Sequence, residues 1–217
     1  MISNPKFISL DRTDANQFEE FYRIYFDSIE KSEQKPKEAI RKLCTRNDYS
    51  IRLLYSESTL SGFSLSYLNL EKKFALLEYM AVDKSKRSHG FGAHLLRDLT
   101  TSLFEKRMNW LVLEVDSPYQ TSADQSMRVR RVDFYKKNRC REVEKLDYIL
   151  PLPSAPADLS MKLMLYDIQN SDSDTVSALA LREVVQNIYV SVYGCEASDA
   201  RLEKMFSNLP KVLNLKK

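Results

Sequence analysis

Four glycines serve the whole chain, and two of them, Gly90 and Gly92, stand two apart in KRSHGFGAHLL at residues 86–96. A backbone that passes close to a phosphate needs residues without a β-carbon, and a helix N-terminus adds unpaired N–H groups and the positive end of a dipole. Strand, glycine loop and helix together meet that requirement, although a glycine pair before a helix serves equally as a tight turn. Two nucleotide loops are excluded by spacing. A Walker loop ends in Gly-Lys-Ser or Gly-Lys-Thr, whereas this one runs Gly92, Ala93, His94, and a dinucleotide fingerprint needs a third glycine where Leu95 stands.

Two carboxylates interrupt apolar runs, Glu78 in FALLEYMAV and Glu114 in WLVLEV. A buried carboxylate is costly without a partner, so each is either functional or held in a salt bridge, for which Arg130 or Arg131 is on offer. His89 and His94 could share a helical start, yet no carboxylate or cysteine at ligand spacing completes a metal site, and none is expected. Cys44, Cys140 and Cys195 are odd in number and lack CxxC spacing, which reads as reduced thiols in a cytoplasmic protein.

The elements that must position these residues follow from periodicity. KFISL reads as a first strand, and DRTDAN caps a helix carrying Phe18, Tyr22, Tyr25 and Ile29 on one face. Pro36 opens a second helix, running to about Cys44. YSIRLLYS and SGFSLSYLNL are strands; in the latter Phe63, Leu65 and Tyr67 alternate with Ser64 and Ser66, the pattern of a half-buried strand. FALLEYMAV is apolar on both faces, as a covered central strand would be. After the loop come a helix with Leu95, Leu99 and Leu103, the strand WLVLEV, a basic helix at 127–137, and strands at REVEKLDYIL and MKLMLYD separated by prolines. From residue 168 the texture becomes helical: one helix carries Val176, Val184, Ile188 and Val192 and ends at Gly194, and a shorter one with Leu202 and Phe206 stops at Pro210. The chain is thus a mixed α/β domain at 1–167 with a helical extension at 168–217.

With 217 residues, 43% hydrophobic and 29% charged, the chain is of the ordinary globular class, without a secretory signal or an apolar span long enough for a membrane. Its formal charge of +3 does not argue for nucleic acid. RVRRVDFYKKNRCR could be read as a nucleic-acid patch, but helical spacing spreads its charges into a solvated face.

The loop resembles the pyrophosphate loop of the GCN5-related N-acetyltransferase (GNAT) superfamily: Arg or Gln, two residues, Gly, one residue, then Gly or Ala, here Arg87, Ser88, His89, Gly90, Phe91, Gly92. LEYMAVDKSKR upstream is similar to the family's fourth strand, and VDFYKKN downstream to its FY-K-K-N-G helix end, with Arg139 where the family has glycine. The resemblance implies a mostly antiparallel sheet flanked by helices, with fourth and fifth strands splayed at a β-bulge around acetyl-CoA. It further implies that the main chain of Met80, Ala81 and Val82 runs beside the pantetheine, that an N–H near Tyr79 or Met80 polarises the thioester carbonyl, and that Arg87 through Ala93 hold the pyrophosphate. Tyr135 matches the tyrosine that protonates the leaving thiolate, and Glu78 is the candidate base. The implied activity is transfer of an acetyl group to a primary amine in a ternary complex; the alternative is a catalytically silent module that binds acyl-CoA or another protein. The first two helices and the loop between the last strands, which shape the acceptor site in that family, offer Glu19, Glu20, Asp27 and Glu30, which could attract a cationic amine or equally form a solvated helix face. The extension is expected to cover the domain or to form a homodimer contact.

Overall fold

Asp14 opens the first helix: its backbone is extended, and its carboxylate accepts hydrogen bonds from the N–H groups of Asn16 and Gln17. In the computed structural model, residues 5–119, 124–152, 161–171 and 173–216 are described. The chain divides into two compact units, one up to Met108 and the other from Asn109.

In the first unit, β1 (Lys6–Ser9) precedes α1 (Ala15–Ser28) and α2 (Lys37–Thr45), and β2 (Tyr49–Ser56), β3 (Thr59–Asn69) and β4 (Phe74–Val82) lead to α3 (Phe91–Glu105). The four strands form an antiparallel meander, and the pairs Ile51↔Leu65 and Leu65↔Tyr79 fix a register that sets these three side chains on one face. Helix α1 covers that face, with Phe21 meeting the Phe63 ring edge-on at 4.7 Å between centroids. On the other face Phe91 and Leu95 of α3 pack with Leu54, Phe7, Met80 and Val82.

Strand β3 departs from the expected half-buried pattern. Ser64 and Ser66 are fully buried, because α3 covers the face they share with Gly62. Small residues are needed there: a β-carbon on Gly62 would lie 2.7 Å from the Ala81 carbonyl oxygen and 3.0 Å from Leu95 Cδ1.

The second unit contains β5 (Trp110–Asp116), α4 (Gln125–Lys137), β6 (Arg141–Val143), β7 (Met161–Asp167), β8 (Thr175–Ser177), α5 (Ala178–Ser191), α6 (Ala200–Phe206) and β9 (Val212–Lys216). Its strands lie in the antiparallel order β5-β7-β6-β9-β8. Two expectations are corrected here. The sixth strand stops at Val143, after which Lys145 takes a positive φ of 64° and the chain turns. The extension is not wholly helical: Val176 sits on β8 rather than on a helix, Ser177 caps α5, and β9 follows Pro210 to pair with β6. Gly194 does close α5, with a φ of 70° and its N–H donating to the Val190 carbonyl. Among the described residues no helix is long and apolar enough to cross a membrane.

Candidate active site

The polar connection after β4 is organised by Asp83. Its Oδ1 accepts hydrogen bonds from the N–H and hydroxyl of Ser85 at 2.9 and 2.7 Å, while Arg23 reaches its other oxygen at 2.9 Å. A single 3₁₀ turn over Lys84–Lys86 results. Ser88 and Gly90 then both adopt left-handed backbone, at φ 67° and 80°. Gly90 is the N-cap of α3, and its carbonyl accepts from the N–H groups of Ala93 and His94. The N–H groups of Gly90, Phe91 and Gly92 make no backbone hydrogen bond among the described residues. A β-carbon on Gly90 would meet nothing within 4 Å, so glycine is favoured there by its φ and not by crowding, and the space beside it is open.

Phe91 is buried and anchors the turn, while the His89 ring folds back with Nδ1 2.7 Å from the Arg87 carbonyl. Lys84, Lys86 and Arg87 supply positive charge to the same short stretch. Uncommitted N–H groups at a helix start, beside three cations, are what a pyrophosphate requires, and the residues fit one. Met80 and Val82 turn their side chains under α3, and Ala81 is buried.

Glu78 sits at an irregularity. Leu65 pairs with Tyr79 and Ser66 with Leu77, so Glu78 is the extra residue of a β-bulge in β4. A bulge re-aims side chains, and here it brings Glu78 onto the face that Tyr79 occupies, towards α1 and the loop after it. The Glu78 side chain is only 5% exposed, and its Oε2 forms an ion pair with Lys35 Nζ. Its Oε1 is buried and accepts no hydrogen bond of normal length among the described residues, although the Tyr49 hydroxyl is close enough to the carboxylate to interact with it. Burial, then the Glu78 charge, pushes the Tyr49 hydroxyl above the usual tyrosine range; Tyr79 is raised by burial first and by its Tyr25 and Glu78 neighbours. The loop carrying Lys35 is pinned from three sides: Lys35 N–H donates to Tyr25 Oη at 2.7 Å, Tyr79 Oη to the Glu33 carbonyl at 3.0 Å, and Gln34 Nε2 to the Phe26 and Ile29 carbonyls.

Tyr135 lies in the second unit, on the last turn of α4. Burial raises its pKa to about 12, so it stays a neutral phenol at physiological pH and holds its proton more tightly than an ordinary tyrosine does. The turn after it is intact although glycine is absent. Arg139 takes the left-handed conformation at φ 71°, its N–H donates to the Lys136 carbonyl, and the Cys140 N–H reaches the Tyr135 carbonyl at 3.0 Å. That is a complete Schellman motif.

The sequence matches the Acetyltransferase (GNAT) family over residues 16–137. The chain belongs to the GNAT acetyltransferase family. Among solved structures it resembles a GNAT-family protein from Bacteroides thetaiotaomicron with a TM-score of 0.68 and 22% identity over 88% of this chain and 99% of that one. The ribosomal-protein-S18-alanine N-acetyltransferase of Escherichia coli gives 0.56 and 18% over 76% and 94%. An aminoglycoside 6'-N-acetyltransferase complexed with coenzyme A gives 0.56 and 15% over 75% and 97%. No curated protein sequence matches.

This GNAT chain pairs its carboxylates differently from the salt bridges expected with Arg130 or Arg131. Glu78 takes Lys35, Glu114 accepts hydrogen bonds from the hydroxyls of Tyr148 and Tyr193, and Arg131 reaches Asp116 at 3.0 Å. Other basic residues of α4 are also engaged, Arg128 with Asp124 and Lys136 with Glu142. On α1, Glu19 is tied to Lys37 and Arg41 and Glu20 accepts from Tyr55, which reduces the free acidic charge expected there. Lys35, Tyr49, Tyr148 and Tyr193 carry no local motif; an isolated lysine before Pro36 and tyrosines in apolar runs are the only signals in the sequence.

Proposed function

We propose that this GNAT acetyltransferase moves the acetyl group of acetyl-CoA to a primary amine by direct attack in a ternary complex. When bound, acetyl-CoA supplies an activated thioester carbonyl. The chain's own residues do the remainder. The uncommitted N–H groups at the start of α3, together with Arg87, Ser88 and His89, hold the pyrophosphate, and the main chain of Met80, Ala81 and Val82 lines the pantetheine arm. An N–H near Tyr79 or Met80 stabilises the charge that builds on the acetyl oxygen.

An alkylammonium with a pKa of about 10.4 must lose a proton before attack. Glu78 is the group proposed to accept it, directly or through water. The C–N bond forms as the C–S bond breaks, and Tyr135 gives its proton to the departing sulfur; the net reaction yields an amide, free thiol and one proton.

The observation that carries this reading is the pair of left-handed residues, Ser88 and Gly90, that leaves N–H groups uncommitted at the start of α3. The test is a thermal-shift titration with acetyl-CoA on wild type and Gly92→Trp. Stabilisation that grows with ligand as a single site and vanishes in the variant supports the reading; no shift in folded wild type overturns it. The silent acyl-CoA-binding module is favoured by one observation, the ion pair that engages Glu78. Such a module binds acetyl-CoA and releases no thiol with any amine. We assign the acetyltransferase part to residues 1–167, with 168–217 as an extension that completes the second unit.

A further inference from the structure

Lys35 and Glu78 present an arrangement that a purely structural ion pair does not require. A primary ammonium is held between a buried carboxylate and the face of an aromatic ring, Lys35 Nζ standing 5.5 Å from the Tyr79 ring centroid. Both contacts suit a cation: the carboxylate by charge, the ring by its quadrupole. Oε1 of the carboxylate is buried and accepts no hydrogen bond of normal length, although the Tyr49 hydroxyl is close enough to the carboxylate to interact with it. A charged donor at Oε1 would complete a carboxylate that Lys35 and the Tyr49 hydroxyl satisfy only in part. The backbone of Lys35 is fixed by the Tyr25 hydroxyl, so its side chain reaches Glu78 from a rigid origin, yet that side chain is 28% exposed and opens to solvent.

We propose that the Glu78–Tyr79 site is the acceptor-ammonium site and that Lys35 is its internal occupant, so that the acceptor class is a primary amine on an unbranched alkyl stem, the chemistry of the side chain already seated there. The proposal rests on the acetyl-CoA reading above, because only then does Glu78 face a thioester. An incoming ammonium displaces Lys35, takes Oε2 and donates to Oε1 as well. Lys35 therefore sets a threshold: an occupant that fills the site nine-tenths of the time raises the apparent dissociation constant of an outside amine about tenfold.

The test uses n-butylamine, which reproduces the stem and ammonium of Lys35, with wild type, Lys35→Ala and Lys35→Met at saturating acetyl-CoA. Free thiol and N-butylacetamide are measured, and acetyl-CoA binding is followed separately by thermal shift. The expected result is a KM for n-butylamine about tenfold lower in Lys35→Ala than in wild type, with acetyl-CoA binding unchanged. Lys35→Met keeps the stem volume without the charge; it is expected to shift KM in the same direction by a smaller factor, and it serves if the alanine variant does not fold. Normal acetyl-CoA binding with no gain in n-butylamine turnover in either variant overturns the proposal and leaves Lys35 a structural partner of Glu78. Absence of acetyl-CoA binding in wild type removes the underlying reading, and the proposal with it.

Discussion

Replacing Glu78 with glutamine keeps the shape of the side chain and removes both its negative charge and its capacity to accept a proton. If Glu78 is the base, kcat falls by about 10²–10⁴-fold while acetyl-CoA still stabilises the protein, which thiol release and thermal shift read independently. Stability should change little, by less than about 1 kcal/mol, because the Lys35 side chain is 28% exposed and can turn to water. The role of Glu78 was legible from residue type, a carboxylate inside an apolar run, but its partner was not. Lys35 lies 43 residues away, and only the pinned loop between α1 and α2 brings it in. Arg139 shows a different limit: the missing glycine placed the turn after Tyr135 in question, whereas the three Schellman groups form and the arginine bears the left-handed strain. Arg139→Gly relieves that strain at the loss of contacts to Asn170 and the Tyr166 ring. It should stabilise by up to about 1 kcal/mol, seen as a higher urea midpoint at unchanged slope; a lower midpoint would mean that those side-chain contacts dominate.

At the scale of elements, the packing of α3 on β3 depends on the absence of one side chain. Gly62→Ala would place a β-carbon 2.7 Å from the Ala81 carbonyl oxygen, which is backbone and cannot swing aside, so either β4 or α3 must shift. The expected cost is about 1–3 kcal/mol, measured as a fall in denaturation midpoint, and because Ala81 belongs to β4 the same variant should weaken acetyl-CoA binding under the proposed reading. Unchanged stability would show that the strand has slack at this point. The long elements were readable because their periodicity extends over several turns or pairs, as with the leucines of α3 and the apolar run of β4. What failed to show was decided from a distance. Ser64 and Ser66 mimic a wet strand face but are covered by a helix that begins some 25 residues later, and β8 and β9 are short segments that become strands only by pairing with each other and with β6.

For the second unit as a body, residues 168–217 are part of the core and not an ornament on it. Strand β9 continues the sheet through Glu142↔Lys216 and Val143↔Leu215, and α5 and α6 bury Leu181, Val185, Ile188, Tyr189, Leu202 and Met205. The Tyr189 hydroxyl closes on the Ile149 carbonyl, and Tyr193 donates to Glu114 on β5. The buried side chains of α5 pack within its own unit, while Leu179 and Val190 on the same helix are exposed. A chain shortened to residues 1–168 would leave β6 as a bare edge, strip the apolar layer beneath α5 and take a donor from Glu114, each change favouring association through exposed surface. It is expected to aggregate or to lose its cooperative melting transition, as followed by size-exclusion chromatography and calorimetry. A monodisperse product with an unchanged melting temperature would contradict this role. Tyr193→Phe isolates one contact of the set and should cost about 1 kcal/mol, the lower end for withdrawing a donor from a carboxylate because Tyr193 is only half-buried; a cost near zero would mean that Tyr148 alone holds Glu114 in place and that the extension acts through its apolar face.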